Sequence, residues 1–205
     1  VETALNHESP DYVPLDLGAS PVTGMHVSSV YLLRQALGLD APGTPVKVVE
    51  PYQMLGAVTP DLMEALGVDV IGLGSPVTMF GFKNEGWKPW TTFDGTPVLV
   101  PEGFNTDPEP NGDILMYPEG DGSAPPSGRM PKGGWYFDSI IRQQPIDEES
   151  LNPQDNLEEF ALLNEEDLAY YRDQRDRLEK HKECGVALIV PGSGFGDIAL
   201  VPAPF

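Results

Sequence analysis

Val46-Lys47-Val48-Val49-Glu50 is followed, nine residues later, by Thr59-Pro60-Asp61-Leu62-Met63-Glu64-Ala65-Leu66-Gly67-Val68-Asp69-Val70-Ile71-Gly72-Leu73. The first run is rich in β-branched residues and reads as a strand. Thr59 is a helix cap, Pro60 suits a first turn that has no use for its missing N–H, and Asp61 sets an acid at the positive end of the helix. Leu62, Met63 and Leu66 supply an apolar stripe, and Gly67 supplies the stop. Residues 68–73 then read as another strand, apolar on both faces. Strand, helix, strand without a tight turn predicts parallel pairing in a sheet buried on both sides.

Working toward the N-terminus, Val13-Pro14-Leu15-Asp16-Leu17 before Gly18 reads as a short buried strand followed by a loop over 18–24. Residues 27–37 form a predicted helix, with apolar Val27, Val30, Leu33 and Leu37 at helical spacing and Gly38 as its end. The expected fold class is therefore α/β, of the (β/α)8 TIM-barrel type, present as a partial barrel.

Toward the C-terminus the alternation breaks. Many of the 22 Gly and 22 Pro residues fall between 81 and 153, so that stretch is read as turn-rich. Trp90-Thr91-Thr92-Phe93, Asp94-Gly95 and Thr96-Pro97-Val98-Leu99-Val100 predict a β-hairpin with a two-residue turn. Asn111-Gly112 precedes a third predicted strand over 113–117, residues 118–134 read as loop, and Trp135-Tyr136-Phe137 re-enters apolar surroundings. Asn164 caps a helix whose first turn holds Glu165, Glu166 and Asp167. Leu168, Tyr171 and Leu178 give that helix its stripe, and residues 186–190 form a predicted buried strand. The chain thus divides into first βα units over 1–80, a hairpin-rich insertion with an acidic linker over 81–156, and a further αβ unit of the same barrel over 157–205.

Twelve Lys and Arg against 32 Asp and Glu leave a net charge of −20, which repels phosphate backbones and anionic membrane surfaces. Nucleic acid and membrane are accordingly excluded as expected partners. Cys184 is the only cysteine, so no disulfide and no multi-cysteine metal site can form within these residues, and a reducing cytoplasm is expected. No apolar run has the length of a bilayer span, and no basic, then apolar, leader is present. Val1 in place of an initiator Met, and Phe205 after a Pro-rich tail, read as cut ends of a longer chain.

In parallel α/β folds ligands bind where the strands end, because the loops converge there on a rigid frame. That rule selects Asp16 and His26 after the first predicted strand, Glu50 and Gln53 after the second, Ser75 after the third and Asp197 after the last as substrate-binding candidates; no catalytic residue is assigned. Asp16 is either a pocket acid or a carboxylate tying down the amides of the Gly18 loop. His26 is either a ligand or base, or a satisfied histidine at a helix start. Trp87, Trp90 and Trp135 either line a cavity or pack the hairpin onto the barrel. Gly192-Ser193-Gly194-Phe195-Gly196 matches neither the dinucleotide fingerprint nor the P-loop, and reads as a loop at the barrel mouth. His7 and His181 read as solvated, and Cys184 as a small core thiol.

Ala4-Leu5-Asn6-His7-Glu8-Ser9-Pro10-Asp11-Tyr12-Val13-Pro14-Leu15-Asp16-Leu17-Gly18 resembles the opening of proteins of the uroporphyrinogen decarboxylase and corrinoid-dependent methyltransferase superfamily. The likeness continues through Thr23-Gly24, Gly67-Val68-Asp69-Val70, residues 125–134 and residues 194–200. It implies a (β/α)8 barrel and one of two chemistries: decarboxylation of tetrapyrrole acetate side chains, or methyl transfer between a corrinoid protein and a thiol. The decarboxylases carry arginines in the loop after the first strand and an Asp after the next; here residues 18–24 contain no Arg, and Pro76 follows Ser75. The resemblance therefore implies the N-terminal part of a corrinoid-linked methyltransferase, inactive alone. A tetrapyrrole decarboxylase and a non-catalytic half-barrel that assembles as a homodimer are the alternatives. No cofactor is expected within this chain; in the full-length protein zinc is implied, held by a His and two Cys in later strands, with a corrinoid carried by a partner protein and a small molecule or tetrapyrrole as substrate.

Overall fold

In a computed structural model the chain is described over residues 1–140, 149, 163–179 and 181–189. It is a mixed α/β structure. The elements are α1 (Glu2–Leu5), α2 (Val27–Ala36), β1 (Val46–Glu50), β2 (Leu55–Gly56), α3 (Pro60–Leu66), β3 (Val70–Leu73), β4 (Lys88–Thr91), β5 (Pro97–Val100), β6 (Ile114–Met116), β7 (Gly128–Met130), β8 (Asp138–Ser139), α4 (Glu165–Glu179) and β9 (Gly185–Leu188). No described helix is long and apolar enough to cross a membrane.

The described strands form three separate sheets and close no barrel. One sheet has the order β2-β1-β5-β4, a second pairs β3 with β9, and a third runs β6-β7-β8. β1 is parallel to β5 but antiparallel to β2, and β4 and β5 are antiparallel. The prediction that β1 and β3 belong to one parallel sheet buried on both faces is thus corrected. Val46 and Val48 are buried while Lys47 and Val49 face outward, the alternation of a strand with one solvated face.

The helices follow their local signals. α3 starts after Thr59, has Pro60 at its first position, and ends at Gly67, whose φ of 69° is the left-handed cap that glycine adopts without strain. At α4 the Asn164 carboxamide accepts from the Asp167 amide at 2.9 Å and the Asp167 carboxylate accepts from the Asn164 amide at 3.0 Å, a reciprocal cap. α2 buries Val27 and Val30 as predicted, but its next buried position is Arg34, and Leu37 is 41% exposed.

The hairpin forms with a wider turn than predicted: Thr91 pairs with Pro97, so residues 92–96 make the connection. The Gly95 amide donates to the Thr92 carbonyl and Gly95 takes a φ of 86°, closing the turn with one left-handed residue. β6 joins β7, within the predicted loop 118–134, rather than the hairpin. Residues 13–17 belong to no ladder, correcting the predicted strand, and Val13 is 86% exposed. They are tied to β3 nonetheless: the Asp69 amide donates to the Leu15 carbonyl at 2.8 Å, and the Asp69 carboxylate accepts from the Leu15 amide at 2.8 Å and the Tyr12 hydroxyl at 2.7 Å. Further along, the place that a Cβ on Gly72 would take is filled by the Ala19 carbonyl, so the chain at residue 19 packs closely over β3. β3 itself pairs in parallel with β9, Val70 opposite Gly185 through Leu73 opposite Leu188. β9 is not the buried strand predicted, since Val186 and Leu188 are each 51% exposed.

Two apolar clusters result. The larger unites Val27 and Val30 of α2, Val46 and Val48 of β1, Val98 and Val100 of β5 and Met116 and Met130 of the third sheet around Phe80, Phe104 and Phe137. The phenyl rings of Phe104 and Phe137 meet edge to face at 5.7 Å, as do those of Phe80 and Phe137 at 5.8 Å. The smaller holds Met63, Val68 and Ile71, with Leu17, Leu178 and Cys184 against them.

Candidate functional site

Over the larger core lies a cleft of about 740 Å³, within the range of small-molecule sites. Four pieces of chain build it: the first turns of α2 (His26, Ser28, Ser29, Leu32), the turn after β1 (Tyr52, Gln53, Leu55), the hairpin tip (Asp94), and the segment entering β8 (Trp135 to Asp138). A smaller cavity of about 120 Å³ shares His26, Asp94 and Trp135 with it.

His26 caps α2. Its Nδ1 accepts from the Ser28 amide at 3.2 Å, so Nε2 bears the ring proton and donates to the Trp135 carbonyl at 2.8 Å. The two rings also meet edge to face at 5.4 Å. His26 therefore ties α2 to the 135–138 wall, and both ring nitrogens are engaged. Trp135 and Tyr136 are 52% and 59% exposed, so of the apolar run 135–137 only Phe137 enters the core. Of the tryptophans, Trp90 packs on Phe104, Trp87 lies under the Lys47 ammonium, and Trp135 lines the cleft.

Glu50 shapes the turn from below, its carboxylate accepting the Tyr52 amide at 3.0 Å and the Gln53 amide at 2.7 Å. Burial pushes its carboxyl above the usual range, and the two amides only partly offset this. That turn carries Gln53 to the rim and Met54 into the core with a φ of 56°.

Burial alone would raise the Asp94 carboxyl, but the Thr92 hydroxyl and the Thr96 amide donate to it and outweigh burial, holding it down at about 2. The neighbouring Ser28 hydroxyl adds to that effect from outside hydrogen-bonding geometry. Ser28 is 5% exposed, and its Oγ has no hydrogen-bond partner. At neutral pH the cleft thus presents an ionised carboxylate and an unpaired hydroxyl beside aromatic faces. No lysine or arginine is among its described lining residues.

The structure brings His26 and Gln53 together on this cleft with Glu50 beneath. Asp16 and Ser75 lie elsewhere, Asp16 before the loop over 18–24 and Ser75 two residues after β3. The Asp16 carboxylate accepts from the Ala19 amide at 3.2 Å and the Thr23 hydroxyl at 3.0 Å, and the Ser75 hydroxyl accepts from the Val77 amide at 3.2 Å. Asp197 and the 192–196 loop lie outside the described residues, as does nearly all of the acidic linker. Sequence reasoning passed over Asp94, Ser28 and Tyr136, and held Trp135 only as one of two alternatives; the signal present was a pair of adjacent aromatics after Gly133-Gly134, next to a segment read as loop. Zinc does not fit what is described: no group of three His, Cys, Asp or Glu side chains converges among the described residues, and His26 is already committed at both nitrogens.

The described structure is mixed α/β, with a cleft lined by aromatic side chains and two exposed carboxylates, Asp94 and Asp138. Compared with protein-family models, with curated proteins and with solved structures, the chain matches none.

Proposed function

We propose that the chain is the opening part of a (β/α)8 barrel of the decarboxylase-like kind, and that the whole protein is a corrinoid-linked methyltransferase of a reducing cytoplasm. The observation that carries the reading is the parallel pairing of β3 with β9 across a connection that contains α4. In a barrel of this type consecutive parallel strands sit side by side with helices between them. On this reading β1, β2 and β4–β8 are insertions, and Asp16 and Ser75 stand at the mouth. The segment patterns at 4–18, 67–70 and 125–134 support the family.

Within the described residues Asp16 orders the first mouth loop through Ala19 and Thr23, and no residue is placed to transfer a methyl group. Zinc and a corrinoid would have to be supplied from outside them. The test is methyl transfer from methylcobalamin to a small thiol, assayed with residues 1–205 and with a chain extended through the downstream reading frame. Transfer by the extended chain alone is expected; transfer by residues 1–205 would overturn the assignment of the chemistry to later strands, and porphyrinogen decarboxylation by the extended chain would replace the methyltransferase reading.

One observation favours a second reading, a half-barrel assembly module: Val186 and Leu188 of β9 and the following Ile189 are exposed, Ile189 at 46%. A discrete dimer of residues 1–205 in sedimentation would support it, and a monomer would dismiss it.

A further inference from the structure

We propose that the cleft between α2, the hairpin tip and the 135–138 segment is a binding site for a protonated primary amine joined to a flat apolar body. The inference is independent of the barrel reading, because none of the residues used here belongs to the β3–β9 layer. Three features specify the ligand. The Asp94 carboxylate is ionised at neutral pH, and Asp138 adds a second carboxylate to the lining, so charge selects a cation. The Ser28 hydroxyl is buried without a partner and lies close to Asp94. A buried hydroxyl in that condition costs free energy until a ligand pairs with it, and an N–H donor that reaches Asp94 reaches Ser28 as well.

An ammonium with several N–H groups satisfies both oxygens, whereas a quaternary ammonium has no proton for either. Trp135 and Tyr136 supply exposed aromatic faces for the rest of the ligand, and Leu32, 65% exposed, adds an aliphatic wall. The His26 contact with the Trp135 carbonyl and ring fixes that wall in advance, so ordering it costs little on binding. The chain's charge of −20 further concentrates cations at its surface.

The test titrates residues 1–205 with benzylamine and with benzyl alcohol, its neutral isostere, following tryptophan fluorescence and heat. Benzylamine is expected to bind about tenfold or more tightly than the alcohol, since a charge-assisted hydrogen bond is lost in the latter. Ser28→Ala and Tyr136→Ala should each weaken benzylamine several-fold with unchanged circular dichroism, and Asp94→Asn should remove the preference for the amine. Equal affinity for amine and alcohol, absence of amine binding at millimolar concentration, or full affinity in Ser28→Ala would overturn the proposal. Because Asp94 also holds the hairpin turn, the comparison of the two ligands on the unmodified chain decides even if Asp94→Asn unfolds.

Discussion

Arg34 is the residue on which the α2–α3 packing turns. It is 8% exposed, and its guanidinium donates through Nε and Nη2 to Asp40 at 2.6 and 2.9 Å, through Nη2 and Nη1 to Asp61 at 2.8 and 3.2 Å, and through Nη1 to Thr59 at 2.5 Å. The planar fork meets both carboxylates and the α3 cap at once, which lysine could not do. Removing it leaves the Asp40 side chain, 14% exposed, without its cation. Arg34→Ala is expected to cost about 3 kcal/mol in urea unfolding, the low end for breaking a buried pair because the Asp61 side chain is 47% exposed. The Arg34 hydrogen bonds hold both carboxyls below their ordinary value of 3.8. Over that interval the unfolded chain binds more protons than the folded one, so stability falls as pH falls. The stability difference between the parent and Arg34→Ala should be flat well above pH 3.8 and shrink as pH drops below it, which paired urea titrations across that range would measure. The burial of Arg34 follows from Asp40 and Asp61 converging on it, which no local pattern in the sequence announces.

At the scale of elements, what was legible was local. Thr59-Pro60 and Gly67 bound α3, Asn164 and Asp167 bound α4, and Asp94-Gly95 turns the hairpin, because caps and turns are settled by neighbours within a few residues. Strand partners are settled by distant chain. Nothing within residues 46–50 says that Val46 will lie opposite Val98, and nothing within 70–73 names Gly185. The cleft was half legible for the same reason: His26, Glu50 and Gln53 follow from position after a strand or before a helix, while Asp94 and Trp135 reach it only through the long-range pairing of their sheets. The contact of Ala19 with β3 shows how close distant pieces of chain come. A Cβ on Gly72 would stand 2.1 Å from the Ala19 carbonyl oxygen and 2.6 Å from its carbon, and backbone on backbone has little room to yield. Gly72→Ala is therefore expected to destabilise by about 1–3 kcal/mol. Gly74→Ala, with nothing within 4 Å of its Cβ position, serves as the control and should stay within about 0.5 kcal/mol of the parent in the same denaturation experiment.

Across the whole molecule the two clusters differ in how well they are enclosed. The larger contains nine side chains at 0% exposure, Val27, Val30, Val48, Leu62, Val98, Val100, Phe104, Met116 and Phe137, whereas Met63 and Val68 in the smaller remain 8% and 7% exposed beneath a β9 whose apolar side chains face outward. α3 links them, Leu62 entering the larger and Met63 the smaller. Local opening starts where buried contacts are fewest, so the β3–β9 layer should open below the free energy of global unfolding. The sequence provides separate reporters. All three tryptophans lie at residues 87, 90 and 135, away from β3 and β9, while Cys184 packs on the smaller cluster. Burial, with the charges of Glu183 and Asp69, raises the Cys184 thiol above its ordinary value, so its labelling rate must be referred to that of the unfolded chain at the same pH. Measured in this way across a urea series, Cys184 should become reactive at lower urea than the tryptophan transition. Coincidence of the two curves would show instead that α3 couples the clusters into one cooperative unit, and Leu62→Ala, which cuts the link on the side of the larger core, should then shift both together.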